Sequence, residues 1–199
     1  MLYKIAHILR DKMPWLWNLV DITNSYLFSV RYGRKLKVIE TNVLKKYSSQ
    51  MGYNICRLRD VDASQITDFF TKQPAEAFTY FRPHGFDVKS IKALQRNKSF
   101  LGYLLIDEGT NGIAGYCFNR CFFHGKGFRG TMVDINSRGK GIGTSMKKML
   151  NEIGFGIGLR LFTTISKDNV ASYRSALSAS KVKVVKELPH NEVYLEILP

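Results

Sequence analysis

Apolar residues change their spacing repeatedly along this chain, and each change marks an element. Asn54 to Leu58, Ser99 to Asp107, Ile113 to Phe122 and Phe128 to Ile135 are apolar-rich runs of strand length. Glu108-Gly-Thr-Asn-Gly112 carries the Asn-Gly hairpin signal between the second and third runs, and His124-Gly-Lys-Gly127 turns the third into the fourth. Elsewhere the spacing is helical. Asp62 with Gln65 three residues later forms a capping box, followed by an apolar face of Ile66, Phe69 and Phe70 that Pro74 closes. Asp87 caps a second helix bearing Val88, Ile91 and Leu94. Met146, Met149, Leu150 and Ile153 fall at i, i+3, i+4 and i+7 of a third, with Gly154 placed to stop it. Leu159 to Ile165 reads as a buried strand. Asp168 or Asn169 then caps a helix with Val170, Tyr173 and Leu177, and Lys181 to Leu188 and Val193 to Leu198 are strands around the turn Pro189-His-Asn191. From Tyr53 the order is β-α-α-β-β-β-α-β-α-β-β.

The first 50 residues do not join this pattern and are read as an extension to a domain spanning 51–199. Leu2, Ile5, Ile8 and Leu9 make a short amphipathic helix that ends near Pro14. Trp15, Leu16, Trp17, Leu19 and Val20 follow, then a basic patch of Arg31, Arg34, Lys35 and Lys37. The extension holds nine Lys or Arg against three Asp or Glu. Trp and Phe beside Lys and Arg suit peripheral contact with the inner face of a membrane. A helix packed on the domain, or on a second copy in a homodimer, explains the same residues, and both readings stay open.

Composition narrows the function. Of 199 residues, 45% are hydrophobic and 13% aromatic, enough for a packed core, so disorder is excluded. The three cysteines, Cys56, Cys117 and Cys121, lack metal-ligand spacing and read as reduced thiols, so no metal and a cytoplasmic location are expected. Asp11, Lys12 and Pro14 interrupt the first apolar run, which does not fit a signal peptide, and no apolar run approaches bilayer length. The net charge of +14 favours polyanions, phosphate-rich cofactors among them. No zinc-finger or RNP pattern accompanies it, so nucleic acid is not the expected partner.

The chemistry gathers at Val133 to Met146. A strand feeds Gly139-Lys140-Gly141-Ile142-Gly143, and a helix starts at once. A turn with few side chains lets a ligand approach the backbone, and the unpaired N–H groups and positive dipole of a helix start favour phosphate. Arg138 and Lys140 add charge. The P-loop pattern fails, because Gly141 follows Lys140 where Ser or Thr is needed, and the spacing GxGxG is not the dinucleotide GxGxxG. The stretch resembles the acyl-coenzyme A loop of the GNAT N-acetyltransferase superfamily, (Arg/Gln)-x-x-Gly-x-(Gly/Ala), matched by Arg138, Gly141 and Gly143. The element order from Tyr53 resembles a complete GNAT domain, and Asn169 stands where the family places an Asn that opens the helix after the fifth strand.

This resemblance implies a mixed, mostly antiparallel sheet flanked by helices, with an N-terminal extension. It implies an enzyme that moves the acetyl group of acetyl-CoA directly to a primary amine of a small polar acceptor, an amino sugar being one candidate. The donor would lie where the fourth strand splays from the fifth. Backbone groups of Val133 and Ile135 would pair with its pantetheine amides like an added strand. N–H groups of Arg138, Gly139, Lys140, Gly141, Ile142, Gly143 and Thr144 would hold the pyrophosphate, with Asn169 along the pantetheine path. The Tyr that often serves as acid seven residues after this Asn is here Ala176. The remaining catalytic candidates are Tyr173 on the neighbouring helix, His84 in the loop Phe78 to Phe86 at the acceptor side, and Asp134 on the key strand. That missing Tyr leaves open a non-catalytic acyl-CoA sensor or scaffold. A nucleic-acid-binding module is favoured by charge alone.

Overall fold

The computed structural model describes residues 14–199, with side chains from Asn18 onward. The expected short helix over Leu2 to Leu9, and the side chains of Trp15 and Trp17, lie outside that range. Pro14 is the first described residue and stands at the start of a long helix. Helix α1 runs Pro14–Met51 without a break, and proline suits a first turn, where its missing N–H would have no partner anyway.

Seven strands form one sheet in the order β1-β2-β3-β4-β5-β7-β6. They are β1 (Asn54–Arg57), β2 (Phe100–Ile106), β3 (Ile113–Cys121), β4 (Lys126–Val133), β5 (Arg160–Ser166), β6 (Val182–Leu188) and β7 (Glu192–Ile197). Every adjacent pair is antiparallel except β4 and β5. Helices α2 (Ala63–Thr71), α3 (Val88–Arg96), α4 (Ile142–Ile157) and α5 (Val170–Ala179) complete the fold. Asp62 and Asp87 accept hydrogen bonds from the Ser64 and Ser90 backbone N–H groups and so start α2 and α3. The expected bounds of β4 and α4 shift most. β4 begins and ends two residues early, which leaves Ile135 in a 3-10 turn, Ile135–Ser137. Helix α4 passes through Gly154 and stops at Gly158. Gly154 serves packing instead, because a Cβ there would sit 2.7 Å from the Leu161 side chain.

The sheet alternates its side chains between two cores. On one face Leu101, Tyr103, Leu105, Cys117 and Cys121 meet α4 and α1. On the other Phe100, Leu104, Tyr116, Phe118 and Met132 meet α2, α3 and the loop before α3. Helix α1 belongs to the first core. Phe28, Tyr32, Leu36, Val43, Leu44 and Tyr47 are buried in it at helical spacing. Polar groups pin it in place. Buried Asn24 donates to Ser99 Oγ (2.9 Å) and to the Cys121 carbonyl (3.0 Å), and accepts from the Phe123 N–H. Buried Glu40 accepts from Arg57 Nε and from the Tyr103 hydroxyl, each at 2.7 Å. No helix among the described residues is long and apolar enough to cross a membrane.

Candidate functional site

β4 and β5 pair through only three positions, Lys126 with Arg160, Gly127 with Leu161 and Phe128 with Phe162. Beyond Phe128 the strands part. The wedge between them opens into a cavity of about 430 Å³, walled by Arg129 to Val133 on one side and Thr163 to Ser166 on the other. Arg138, Gly139 and Ile142 line it where the glycine loop passes, and Asn169, Ser172 and Ser175 line it from the start of α5.

The loop is shaped for close approach. Gly139 (φ 79°) and Gly141 (φ 75°) take left-handed backbone conformations that L side chains rarely adopt, and a Cβ at either would meet nothing within 4 Å. Gly141 is the N-cap of α4, and no side chain caps that helix. Its first N–H groups therefore face outward without a side-chain partner. Asn169 caps α5 by accepting from the Ser172 N–H at 3.2 Å. Val133, Arg138, Gly139, Ile142 and Asn169 are thus brought to one cavity, whereas Gly141, Gly143 and Thr144 shape the loop behind it. Lys140 lines a different cavity, shared with Asp107, Asp134 and Gln65. Ile135 is off the strand, and its N–H is taken by Gln73 Oε1 at 3.2 Å.

None of the three catalytic candidates lines the wedge. Asp134 accepts from Gln73 Nε2 (2.7 Å) and from the Asn136 N–H, so it holds the turn after β4. Tyr173 packs against the cluster of Ile165, Ala176, Val193 and Leu195. His84 has both ring nitrogens engaged, Nδ1 with the Gly85 carbonyl and Nε2 with the Tyr116 hydroxyl, each at 2.8 Å. Because a carbonyl only accepts, Nδ1 carries the proton and Nε2 accepts from the tyrosine. The rings of Phe70, Phe86, Phe100, Tyr116 and Phe118 surround it. Desolvation lowers its pKa and the Arg120 charge adds to this, against the raising effect of the Gly85 carbonyl. The unfolded chain therefore binds protons that the folded chain resists, and stability falls as pH drops through the ordinary histidine range near 6.5. Urea midpoints at pH 7 and pH 5 should show this loss, and His84→Gln should reduce it. An unchanged pH slope in the variant would show that this ring is not buried as a neutral base.

The loop holding His84 still reaches the wedge through Glu76, Ala77, Tyr80 and Phe81. Glu76, Arg129, Lys147 and Ser175 also line the wedge and carry no sequence signal of a site. Arg129 and Lys147 are only 6% and 5% exposed and both line the cavity. Arg129 Nη1 donates to Asn151 Oδ1 at 2.5 Å, and Lys147 Nζ to Ser175 Oγ at 3.0 Å. Burial lowers Arg129 to about 10 and Lys147 to about 8, with Arg129 adding to the shift at Lys147. Buried Cys117 and Cys121 are the reverse case: burial pushes their thiols well up, so both stay protonated.

Solved structures share this fold. The GNAT domain of S. lividans PAT superposes with a TM-score of 0.62 at 11% identity, over 73% of this chain and 89% of that one. Campylobacter jejuni N-acetyltransferase PseH gives 0.56 at 14%, over 73% and 96%. Aminoglycoside acetyltransferase AAC(6')-Ib, in complex with coenzyme A and kanamycin, gives 0.54 at 13%, over 71% and 92%.

The chain has the GNAT fold. No family model matches the sequence, and no match was found among curated proteins. The GNAT likeness is therefore one of overall fold, not of sequence.

Proposed function

We propose that this chain is an acyl-CoA-dependent N-acyltransferase that acts on a primary amine of a small polar acceptor. The wedge between β4 and β5 carries this reading. It has a phosphate-suited helix start at its open end and a strand edge, Gly130 to Val133, without a β5 partner along its length. Arg138, the glycine loop and Asn169 would hold the donor, and strand N–H groups would polarise the thioester carbonyl. Glu76 and Tyr80, on the wall opposite α4 and α5, are placed for the acceptor. An acceptor with several hydroxyl groups, such as an amino sugar, suits that polar wall, and the kanamycin complex of a protein with this fold supports the same class. Direct attack by the amine needs no protein nucleophile, which agrees with two buried cysteines, Cys117 and Cys121, held protonated.

Thermal unfolding with and without acetyl-CoA tests the donor half. At about 100 times its dissociation constant a ligand adds roughly 2.7 kcal/mol, which raises the melting temperature by roughly 5–10 °C in a chain of this size. No shift at millimolar acetyl-CoA would overturn the reading. A screen of amines with thiol release as the readout tests the acceptor half. A sensor or scaffold without turnover is the second reading, favoured by Ala176, which is fully buried and supplies no hydroxyl. Donor binding without thiol release for any amine would select it. The division at residue 51 belongs to the same proposal, with 51–199 as the transferase unit and α1 as its brace.

A further inference from the structure

The closed end of the wedge holds a chemical imbalance. Arg129 is the first β4 residue beyond the last β4–β5 pair. Its Nη1 is used by Asn151, but buried Nε and Nη2 have no hydrogen-bond partner. Those two nitrogens form one edge of the guanidinium, the edge that grips both oxygens of a carboxylate. Lys147, one helical turn before Asn151 on α4, brings a second buried cation to the same cavity. Among the described residues neither makes an ion pair. Glu76 is the one carboxylate among the cavity's lining residues; it is exposed and pairs with neither. Two buried cations without a counter-charge are unfavourable, and arginine does not escape by losing its proton.

We propose that this end of the wedge is a carboxylate site, and that the donor carries an acid at the far end of its acyl chain, as in succinyl-CoA or malonyl-CoA. The proposal deepens the N-acyltransferase reading and rests on it. With the donor phosphates at the glycine loop, the pantetheine arm and the thioester bring no charge into the wedge. An acetyl group leaves Arg129 and Lys147 uncompensated. A dicarboxylic acyl group presents its free carboxylate to the open edge of Arg129 and to the Lys147 ammonium.

The acceptor is the wrong source for that acid. Arg129 points to the α4 face, where Asn151 holds it, whereas Glu76, Tyr80 and Phe81 line the wall on the other side. The chemistry is ordinary acyl transfer. The amine nitrogen forms a C–N bond to the thioester carbon, the C–S bond breaks with its electron pair on sulfur, and the proton lost by nitrogen ends on the CoA thiol. The second carboxylate is a handle and takes no part in bond making.

Calorimetric titration of the full chain with CoA, acetyl-CoA and succinyl-CoA decides the matter. Succinyl-CoA should bind about tenfold or more tighter than acetyl-CoA, the worth of one charge-assisted contact. In Arg129→Met the ratio of the two thioesters should fall to about one, with binding of CoA itself reporting a folded site. Lys147→Met should also lower the ratio, and is read in the same way if Arg129→Met does not fold. Equal or tighter binding of acetyl-CoA by the unaltered chain overturns the acid site while leaving the donor reading intact. So does a succinyl preference that survives in both variants. Failure of all three CoA species to bind overturns the donor reading and this proposal with it.

Discussion

A chain lacking residues 1–51 is expected to be recovered unfolded or aggregated, and Phe28→Ala in the full chain to lose about 3–5 kcal/mol of stability. The reason is the contribution of α1 to the core. Its buried row from Phe28 to Tyr47 packs against α4 and one face of the sheet, and Phe28 is fully buried. Deletion would uncover the inner faces of Met146, Met149 and Ile153, and would strand the Tyr103 hydroxyl and the Cys121 carbonyl that Glu40 and Asn24 now satisfy. Urea denaturation followed by circular dichroism reads both variants. A truncated chain with a cooperative transition, together with a Phe28→Ala loss below about 1 kcal/mol, would make α1 an appendage and return attention to its exposed residues. Those include Ile22, Tyr26 and Val30, beside basic Arg34, Lys35 and Lys37.

The largest expected effect on ligand binding comes from Gly143→Val. A Cβ at Gly143 would lie 3.4 Å from Val133, 3.7 Å from Ser175 Oγ and 4.0 Å from Lys147 Nζ. All three residues line the wedge, so the added methyl groups crowd the passage from glycine loop to parted strands. Gly141→Val adds strain at a left-handed position, on a loop whose N–H groups the phosphates would use. Each substitution should weaken CoA binding by about 100-fold or more, since the loss of two charge-assisted hydrogen bonds is worth roughly 3 kcal/mol. Urea midpoints should change little for Gly143→Val, because a Cβ there would meet no neighbouring side chain closer than 3.4 Å. Full affinity in both variants would move the phosphates to another place, with the second cavity beside Lys140 the next to test.

The elements from Tyr53 onward were legible because each carried its own signal: alternation, helical spacing, a capping Asp or an Asn-Gly turn. The order of elements and the glycine loop together pointed to the fold. What the sequence hid was contact over distance. In α1 the buried stripe contains polar Asn24 and Glu40, while Leu19, Val20, Ile22 and Val30 face water. The apolar face therefore dissolves unless the buried hydrogen-bond partners are known. Gly154 looked like a stop because its need, room for Leu161, arises on another element. Lys147 stands beside Lys148 in a strongly basic chain and reads as solvated surface. Arg129 alternates as a strand residue should. The packing of α4 against the sheet and α5 makes these two cations interior, and no local pattern reports it. The same holds for His84, whose partner Tyr116 lies 32 positions away.

The partners of α1 bear on how the molecule is made. Asn24 bonds to Ser99 and Cys121, 75 and 97 positions later, and Lys46 meets Glu152 106 positions later. Synthesis runs from the N-terminus, so this helix emerges long before most of what covers it. Contacts of such separation form late and slow the search for the native state, because a long stretch of chain must be ordered before they close. In the interval Phe28, Tyr32 and Leu36 stand uncovered on a nascent helix. The chain that carries its brace at the front thus passes its most aggregation-prone moment between the appearance of α1 and the arrival of α4.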